Sequence, residues 1–207
     1  MWSEAGHHEV SGVSRETSDR ILLLEHLVRK WNPKINLVSN DSLRHLRDRH
    51  ILDSMQIFEL ANFDCGSWCD LGSGGGFPGL VVAILAHEAN TQGDVKLVES
   101  DGRKAAFLRE AVRQLDVRAN IIQSRVEDLP PLCATVLSAR ALAALPKLFS
   151  FAERHLAPGG VALFPKGATH QRELEDARQE WSFDVTLHPS KTEPTAAILE
   201  FRNIRHV

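Results

Sequence analysis

Tyrosine is missing from the 207 residues and cysteine occurs only three times. Without Tyr, any stacking on a nucleobase falls to the 9 Phe, the 4 Trp, His or Arg. Cys65, Cys69 and Cys133 are too few and too scattered for a disulfide framework. Gly66 and a strand-like run interrupt the first pair, and no His or Cys nearby completes a ligand set, so no metal site is expected. The three read as free, buried thiols of a reducing cytoplasm. Long apolar runs are also lacking. The longest, Leu80 to Ala86, is far too short to span a bilayer. Residues 1–10 carry Glu4, His7, His8 and Glu9 where a secretory signal needs an apolar segment. Neither sign of charge dominates: 24 Lys and Arg stand against 27 Asp and Glu, a net charge of -3. That excludes a strongly basic coat protein but leaves room for a local basic patch.

What is present describes an ordinary globular chain, 43% apolar and 25% charged, expected as one domain or at most two. Residues 1–13 show no periodicity and read as a flexible arm. From Ser14 a helix is predicted, with Ile21, Leu24, Leu27, Val28 and Trp31 on one face and Asn32-Pro33 as its stop. Ser39 or Asp41 caps a second helical stretch, broken near Asp48, so residues 14–62 form an N-terminal helical cap. From 63 to 207 strands alternate with helices. The predicted strands are 68–71, 95–99, 119–122, 133–137 and 161–164, and 183–187 with 196–201 form a closing pair. The helices are 79–87, 102–115, 145–155 and 171–180, the second burying Ala106, Phe107, Ala111, Val112 and Leu115. Such alternation predicts an α/β fold with a parallel, Rossmann-like doubly wound sheet, compact with its cap.

Five of the 13 glycines lie between Gly72 and Gly79, in a loop that follows a strand and opens a helix. This is the first βα turn of a nucleotide-binding sheet. Gly74-x-Gly76-x-x-Gly79 fits a dinucleotide fingerprint, with Glu99 where a ribose-binding acid belongs. Asp70-x-Gly72-x-Gly74 fits an S-adenosylmethionine (SAM) site, with Glu99 on the same hydroxyls. The spelling favours SAM. Asp70, at the tip of the first strand, can take the methionine ammonium directly or through water, whereas it would repel a pyrophosphate. Pro78 removes an N–H that a phosphate would need. After the third strand, Val126 with Glu127 or Asp128 is a candidate for the adenine ring. Arg140, in Ser138-Ala139-Arg140-Ala141, ends the fourth strand, and an edge arginine calls for a carboxylate, carbonyl or phosphate partner.

These residues resemble one family, the RsmG (GidB) methyltransferases of 16S ribosomal RNA. The resemblance rests on Trp31 with Asn36-Leu37, Arg49-His50-Ile51-Leu52-Asp53-Ser54 and the run Asp70 to Gly79. It continues through Leu97-Val98-Glu99-Ser100 with Lys104 and Phe107-Leu108, Arg125-Val126-Glu127, Ser138 to Ala141, and Lys166-Gly167. It implies a class I SAM-dependent methyltransferase fold with the helical cap over the cofactor sheet. It implies SAM contacts at Gly72, Phe77, Glu99, Val126 with Glu127, and Arg140. Glu99 stands where many members have Asp, and either holds a ribose diol. The resemblance also supplies the substrate: N7 of a guanine, guanine 527 of the 530 loop, in the 30S subunit or its assembly intermediates.

Guanine N7 has an in-plane lone pair and no proton, so direct in-line displacement needs no general base. The candidate site is then catalytic Arg140, Lys166, His50 and Asp53, with His50 expected to hydrogen-bond Asp53. Asp70, Gly72, Gly74, Phe77, Glu99, Val126, Glu127 and Arg140 are expected to hold the cofactor. Arg44, Arg47, Arg49, Lys104, Arg125 and Lys166 are expected to meet RNA, since residues 29–50 carry six Lys or Arg against two Asp. Phe77 or an arginine plane does any stacking on the purine. Cys133 reads as core, which speaks against a cytosine-C5 enzyme. The expected state is a cytoplasmic monomer without membrane contact or metal. Two alternatives stay open: an NAD-dependent oxidoreductase, and a non-catalytic RNA-binding assembly factor.

Overall fold

Ser14 starts the first helix as expected, its hydroxyl accepting from the Thr17 amide at 3.2 Å. The computed structural model describes residues 12–207, so most of the expected arm lies outside the described residues. Helix α1 (Arg15–Ile35) buries Ile21, Leu24, Leu27 and Val28. It does not stop at Asn32-Pro33 but runs on to Ile35, ending at Asn36 with φ 51°. Pro33 forfeits a single amide bond near the end of the helix. Asn32 instead closes the exit: its carbonyl accepts from the Asn36 amide at 2.9 Å, and its side chain accepts from the Val38 amide at 2.9 Å.

The second helical stretch divides into α2 (Asn40–Arg44), a π-helical turn (Arg47–Leu52) and α3 (Asp53–Ala61). The break falls at His45 rather than near Asp48. The π turn brings His50 and Ile51 inward, and such turns often accompany functional sites.

Seven strands form one sheet in the order β3-β2-β1-β4-β5-β7-β6. They are β1 (Ser67–Leu71), β2 (Asp94–Glu99), β3 (Asn120–Gln123), β4 (Ala134–Ala139), β5 (Leu156–Lys166), β6 (Trp181–Pro189) and β7 (Ala197–His206). Strands β1 to β5 pair in parallel, whereas β7 runs antiparallel to both β5 and β6. The sheet is therefore mixed, not wholly parallel. Only residues 190–196 join β6 to β7, too few for a crossover helix, so the connection must be a hairpin. Helices α4 (Gly79–Glu88), α5 (Gly102–Leu115), α6 (Leu145–His155) and α7 (His170–Ala177) cover the two faces.

One contiguous apolar cluster joins Ile21, Leu24 and Ile51 of the cap to Val81, Leu97 and Phe107 of the sheet layer. A second lies under α6 and the terminal hairpin, around Phe149, Phe164 and Phe201. The inward face of α5 is Ala105, Phe107, Leu108, Ala111 and Leu115, so Ala106 points outward, one position from where it was expected. The thiols differ too. Cys69 is buried, but Cys65 and Cys133 are exposed, because both lie ahead of the amino ends of the central strands β1 and β4. Among the described residues no helix is long and apolar enough to cross a membrane, and no cluster of His, Cys, Asp and Glu could hold a metal ion.

Candidate active site

The parallel strands β1, β2 and β4 end side by side, and the glycine loop crosses their carboxyl ends. Ser73 secures it twice, donating its amide to the Val98 carbonyl at 3.0 Å and its hydroxyl to the Asp70 carbonyl at 3.0 Å. Gly72 has φ 65°, a left-handed conformation that favours glycine. A Cβ there would lie 2.6 Å from Leu142 Cδ1, so the side chain is excluded sterically as well. At Gly79 a Cβ would press on Leu97 and Asp70 at 2.7 and 2.8 Å, which is the close strand–helix approach that such loops require.

Asp70 supports this loop from beneath. It is 1% exposed, and burial pushes its carboxyl up to about 6 against hydrogen bonds that hold it down. Ser138 Oγ donates to one oxygen at 2.8 Å and the Gly79 amide to the other at 3.2 Å. Its role here is to brace the loop and the start of α4, not to stand open to a ligand ammonium. The helix start also disfavours a pyrophosphate. Pro78 has no N–H, the Gly79 amide is held by Asp70, and the Leu80 amide donates to the Gly76 carbonyl at 2.7 Å.

Glu99, at the end of β2, is 7% exposed. One oxygen accepts from the Gly74 amide and the other from the Asp101 amide, both at 2.8 Å. A carboxylate has about four acceptor positions, so lone pairs remain for a ribose diol. Beside it opens a cleft of about 320 Å³ lined by Gly72, Val98, Ser100, Arg125, Val126 and Glu127, with Leu142 and Lys147 on the far wall. Val126 is buried as an apolar floor, and Glu127 pairs with Lys147 at 3.2 Å. A glycine cradle, an acid with spare acceptors and an apolar floor fit an adenosyl group with an amino-acid tail.

Phe77 is placed differently. It is 6% exposed, with its ring 4.9 Å from that of His50, so it closes the loop against the cap and is not free to stack on a purine. His50 does not bond Asp53. Both its ring nitrogens are buried without a hydrogen-bond partner, and burial beside Arg140 and Arg49 drives its pKa down to about 3. Asp53 accepts from Ser190 Oγ at 3.1 Å and Thr192 Oγ1 at 2.5 Å, and stands 3.9 Å from Arg140 Nη2. Arg140 has the carboxylate and carbonyl partners its position demanded, since Nη2 also donates to the Arg49 carbonyl. Its Nη1 is buried without a partner. Arg140 thus reaches from the end of β4 to the cap, where Asp53 and the Arg49 carbonyl hold it.

Lys166 is neither a free RNA contact nor a free catalytic group. Its ammonium donates to the Ala143 carbonyl at 3.0 Å and to Glu173 at 2.8 Å, fastening the loop after β4 to β5 and α7. Arg47 is paired with Glu25 at 2.8 Å. Arg49 is half-exposed on Asp41, Arg44 is exposed on α2, Arg125 is exposed at the cleft, and Lys104 sits in the first turn of α5. Sequence reasoning missed Leu142, Lys147, Ser190 and Thr192. The first two follow the quoted Ser138 to Ala141 run closely, whereas nothing in the local pattern marks the hairpin loop.

A family model described as rRNA small subunit methyltransferase G matches residues 18–198. The ribosomal RNA small subunit methyltransferase G of Ruegeria pomeroyi is 52% identical over 196 residues, covering 94% of this chain and 95% of that one. Solved structures share the fold at low identity. A SAM-dependent methyltransferase from Aquifex aeolicus superposes with TM-score 0.58 at 14% identity, over 79% of this chain and 97% of that one. TYW2 of M. jannaschii, solved with AdoMet, gives 0.56 at 12% identity, over 84% and 80%. The sheet is that of the class I SAM-dependent methyltransferases, and the chain belongs to the rRNA small subunit methyltransferase G (GidB) family, methyltransferases of small-subunit ribosomal RNA.

Proposed function

We infer that the chain methylates N7 of a guanine in 16S rRNA, guanine 527 of the 530 loop by family resemblance, within the 30S subunit or an assembly intermediate. The methyl donor is SAM, whose sulfonium supplies an electrophilic methyl group. Gly72 and Gly74 provide the backbone surface for its amino-acid end, Glu99 the acceptors for its ribose, and Val126 with Glu127 the wall for its adenine. The observation that carries the N7 reading is that none of the three candidate proton acceptors Asp53, Asp70 and His50 is available. Asp53 is bonded to two hydroxyls, Asp70 is enclosed, and His50 is buried behind Phe77. A nitrogen that arrives with a lone pair and no proton needs only to be oriented, so the chain contributes proximity and alignment. The basic face of the cap, with Arg44 and Arg49 exposed beside the seam, offers the phosphate contacts. We place the reaction in the cytoplasm, with the protein acting as a monomer.

Incubation with tritiated SAM and 30S subunits, followed by digestion to nucleosides, tests this reading. Label should co-migrate with 7-methylguanosine. Label on another nucleoside would overturn the N7 assignment, and no transfer at all would favour a non-catalytic assembly factor. Calorimetry decides the cofactor: heat with SAM and none with NAD is expected.

A further inference from the structure

The wall that faces adenine is a small element with little support of its own. It is one 3-10 turn, Val126–Asp128. Two backbone bonds close it, from the Asp128 amide to the Arg125 carbonyl at 3.2 Å and from the Leu129 amide to the Val126 carbonyl at 3.3 Å. Both are longer than the usual amide–carbonyl distance of about 2.9–3.0 Å, so the turn depends on its surroundings. One helix braces it at both ends. Lys147, Phe151 and Arg154 stand at positions i, i+4 and i+7 of α6 and share a face. Lys147 Nζ meets Glu127 Oε1, within the turn, at 3.2 Å. Arg154 Nη2 donates to the carbonyl of Leu129, the residue that follows the turn, at 2.6 Å. Phe151, between them, is buried and lines the cleft together with Val126.

The Lys147 ammonium lies 4.7 Å from the centre of the Phe151 ring, which seats it over an aromatic face while it pairs with Glu127. The two side chains of that pair are 51% and 50% exposed, and an ion pair so open to water contributes little to stability. Its consequence lies in the cleft it lines. With Oε1 committed to the ammonium, the acceptor positions left on the Glu127 carboxylate point in a fixed direction. Its own backbone amide, and after it Lys147, hold the Glu127 carboxyl below the usual carboxylate range, so it stays an acceptor at neutral pH. An adenine in the cleft carries an exocyclic amine, a donor that such a carboxylate accepts. A purine with a 6-oxo group carries an acceptor there and is repelled.

We propose that this face of α6 is the positioning element of the adenine wall: Lys147 aims the Glu127 carboxylate and Arg154 holds the far end of the turn, so that the cleft selects a 6-amino over a 6-oxo purine nucleoside. Lys147 and Arg154 are then positioning residues for the cofactor, two helical turns apart and acting on the two ends of one short segment. Adenine lies against Val126 and Glu127 in the reading above, and the proposal rests on that placement.

Lys147→Met and Arg154→Met, each in the full-length chain, test it, with Lys147→Arg as the conservative control. Calorimetry compares S-adenosylhomocysteine with S-inosylhomocysteine, its 6-oxo counterpart. The wild type should prefer the amino form by roughly tenfold or more, as sites built to hydrogen-bond a ligand group do. Each Met variant should bind S-adenosylhomocysteine about fivefold more weakly, with the preference reduced to about twofold, because the wall is no longer held in place beforehand. Lys147→Arg should keep the preference. In tritium transfer to 30S subunits, KM for SAM should rise while kcat and the 30S KM stay within about twofold. Unchanged S-adenosylhomocysteine affinity in both Met variants would overturn the proposal. So would equal weakening of the two nucleosides, which would show a structural role without selection at the six-position. A rise in the 30S KM alone would do the same by putting Lys147 on the RNA. Glu127→Gln tests the underlying placement by itself. A preference that survives Glu127→Gln would remove Glu127 from the adenine, whereas one lost there and kept in both Met variants would overturn the α6 assignment alone.

Discussion

Single residues in this site are set by what surrounds them more than by what they are. Gly72 is the clearest case, with a positive φ and a Leu142 side chain where its Cβ would stand. Gly72→Arg should weaken SAM binding by roughly tenfold or more, about 1.4 kcal/mol, measured by calorimetry. Unaltered affinity would mean that the loop is not the cradle. His50 is the second case. Its folded pKa of about 3 lies below its unfolded value, so the neutral ring is stabilising above about pH 6.5 and that stability is lost as pH falls toward 3. Asp70 has the opposite sign. Its folded pKa of about 6 lies above the unfolded value, so its contribution is full below about pH 4 and declines as pH rises through 6. The wild type and His50→Phe should therefore diverge in urea unfolding. Between pH 6.5 and 5 the wild type should lose on the order of 2 kcal/mol relative to the variant. Parallel pH profiles would contradict the buried neutral ring. The sequence singled out His50, Asp53 and Arg140 and gave Arg140 the carboxylate or carbonyl partner it has, but it joined His50 to Asp53, which are not bonded. The pairing depended on Ser190 and Thr192, more than 130 positions away and without a pattern of their own.

Among the elements, the βα units from β1 to β4 were legible almost to the residue, because alternating apolar runs and glycine turns are local signals. The end of α1 was not. Pro33 reads as a stop, but the Asn32 side chain that bridges to Val38 keeps the last turn intact. The β7 direction was equally hidden, since strand patterns carry no sign of parallel or antiparallel pairing. Lys166 shows the same limit within the loop elements. Its place in the sequence suggests an RNA contact, but it fastens the loop after β4 to α7. Lys166→Met should cost about 1–3 kcal/mol in unfolding free energy while leaving 30S binding unaltered. Weakened 30S binding without lost stability would restore the RNA role. On the cap, Lys34 and Arg44 are exposed and expected to meet phosphates. Replacing either with Ala should reduce the salt dependence of 30S binding by about one counterion.

At the scale of the whole molecule, a chain of net charge -3 handles a polyanion by dividing its surface. The helical cap shares one apolar cluster with the sheet, so its basic residues are carried on an element packed firmly against the sheet. The terminal hairpin closes the third side and bonds back to α3 through Gln56. The lack of Tyr takes on a sharper meaning in that frame. With Phe77 enclosed against His50, the arginine plane is the one of the two expected stacking groups left for a purine. Methylation at guanine N7 is the central proposal, and mapping 7-methylguanosine along 16S rRNA from cells with and without the gene tests it most directly. Borohydride–aniline cleavage should show one N7-methylguanine in the 530 loop that disappears without the gene. The same N7 modification persisting without the gene, or loss of a methyl group at another atom, would contradict it.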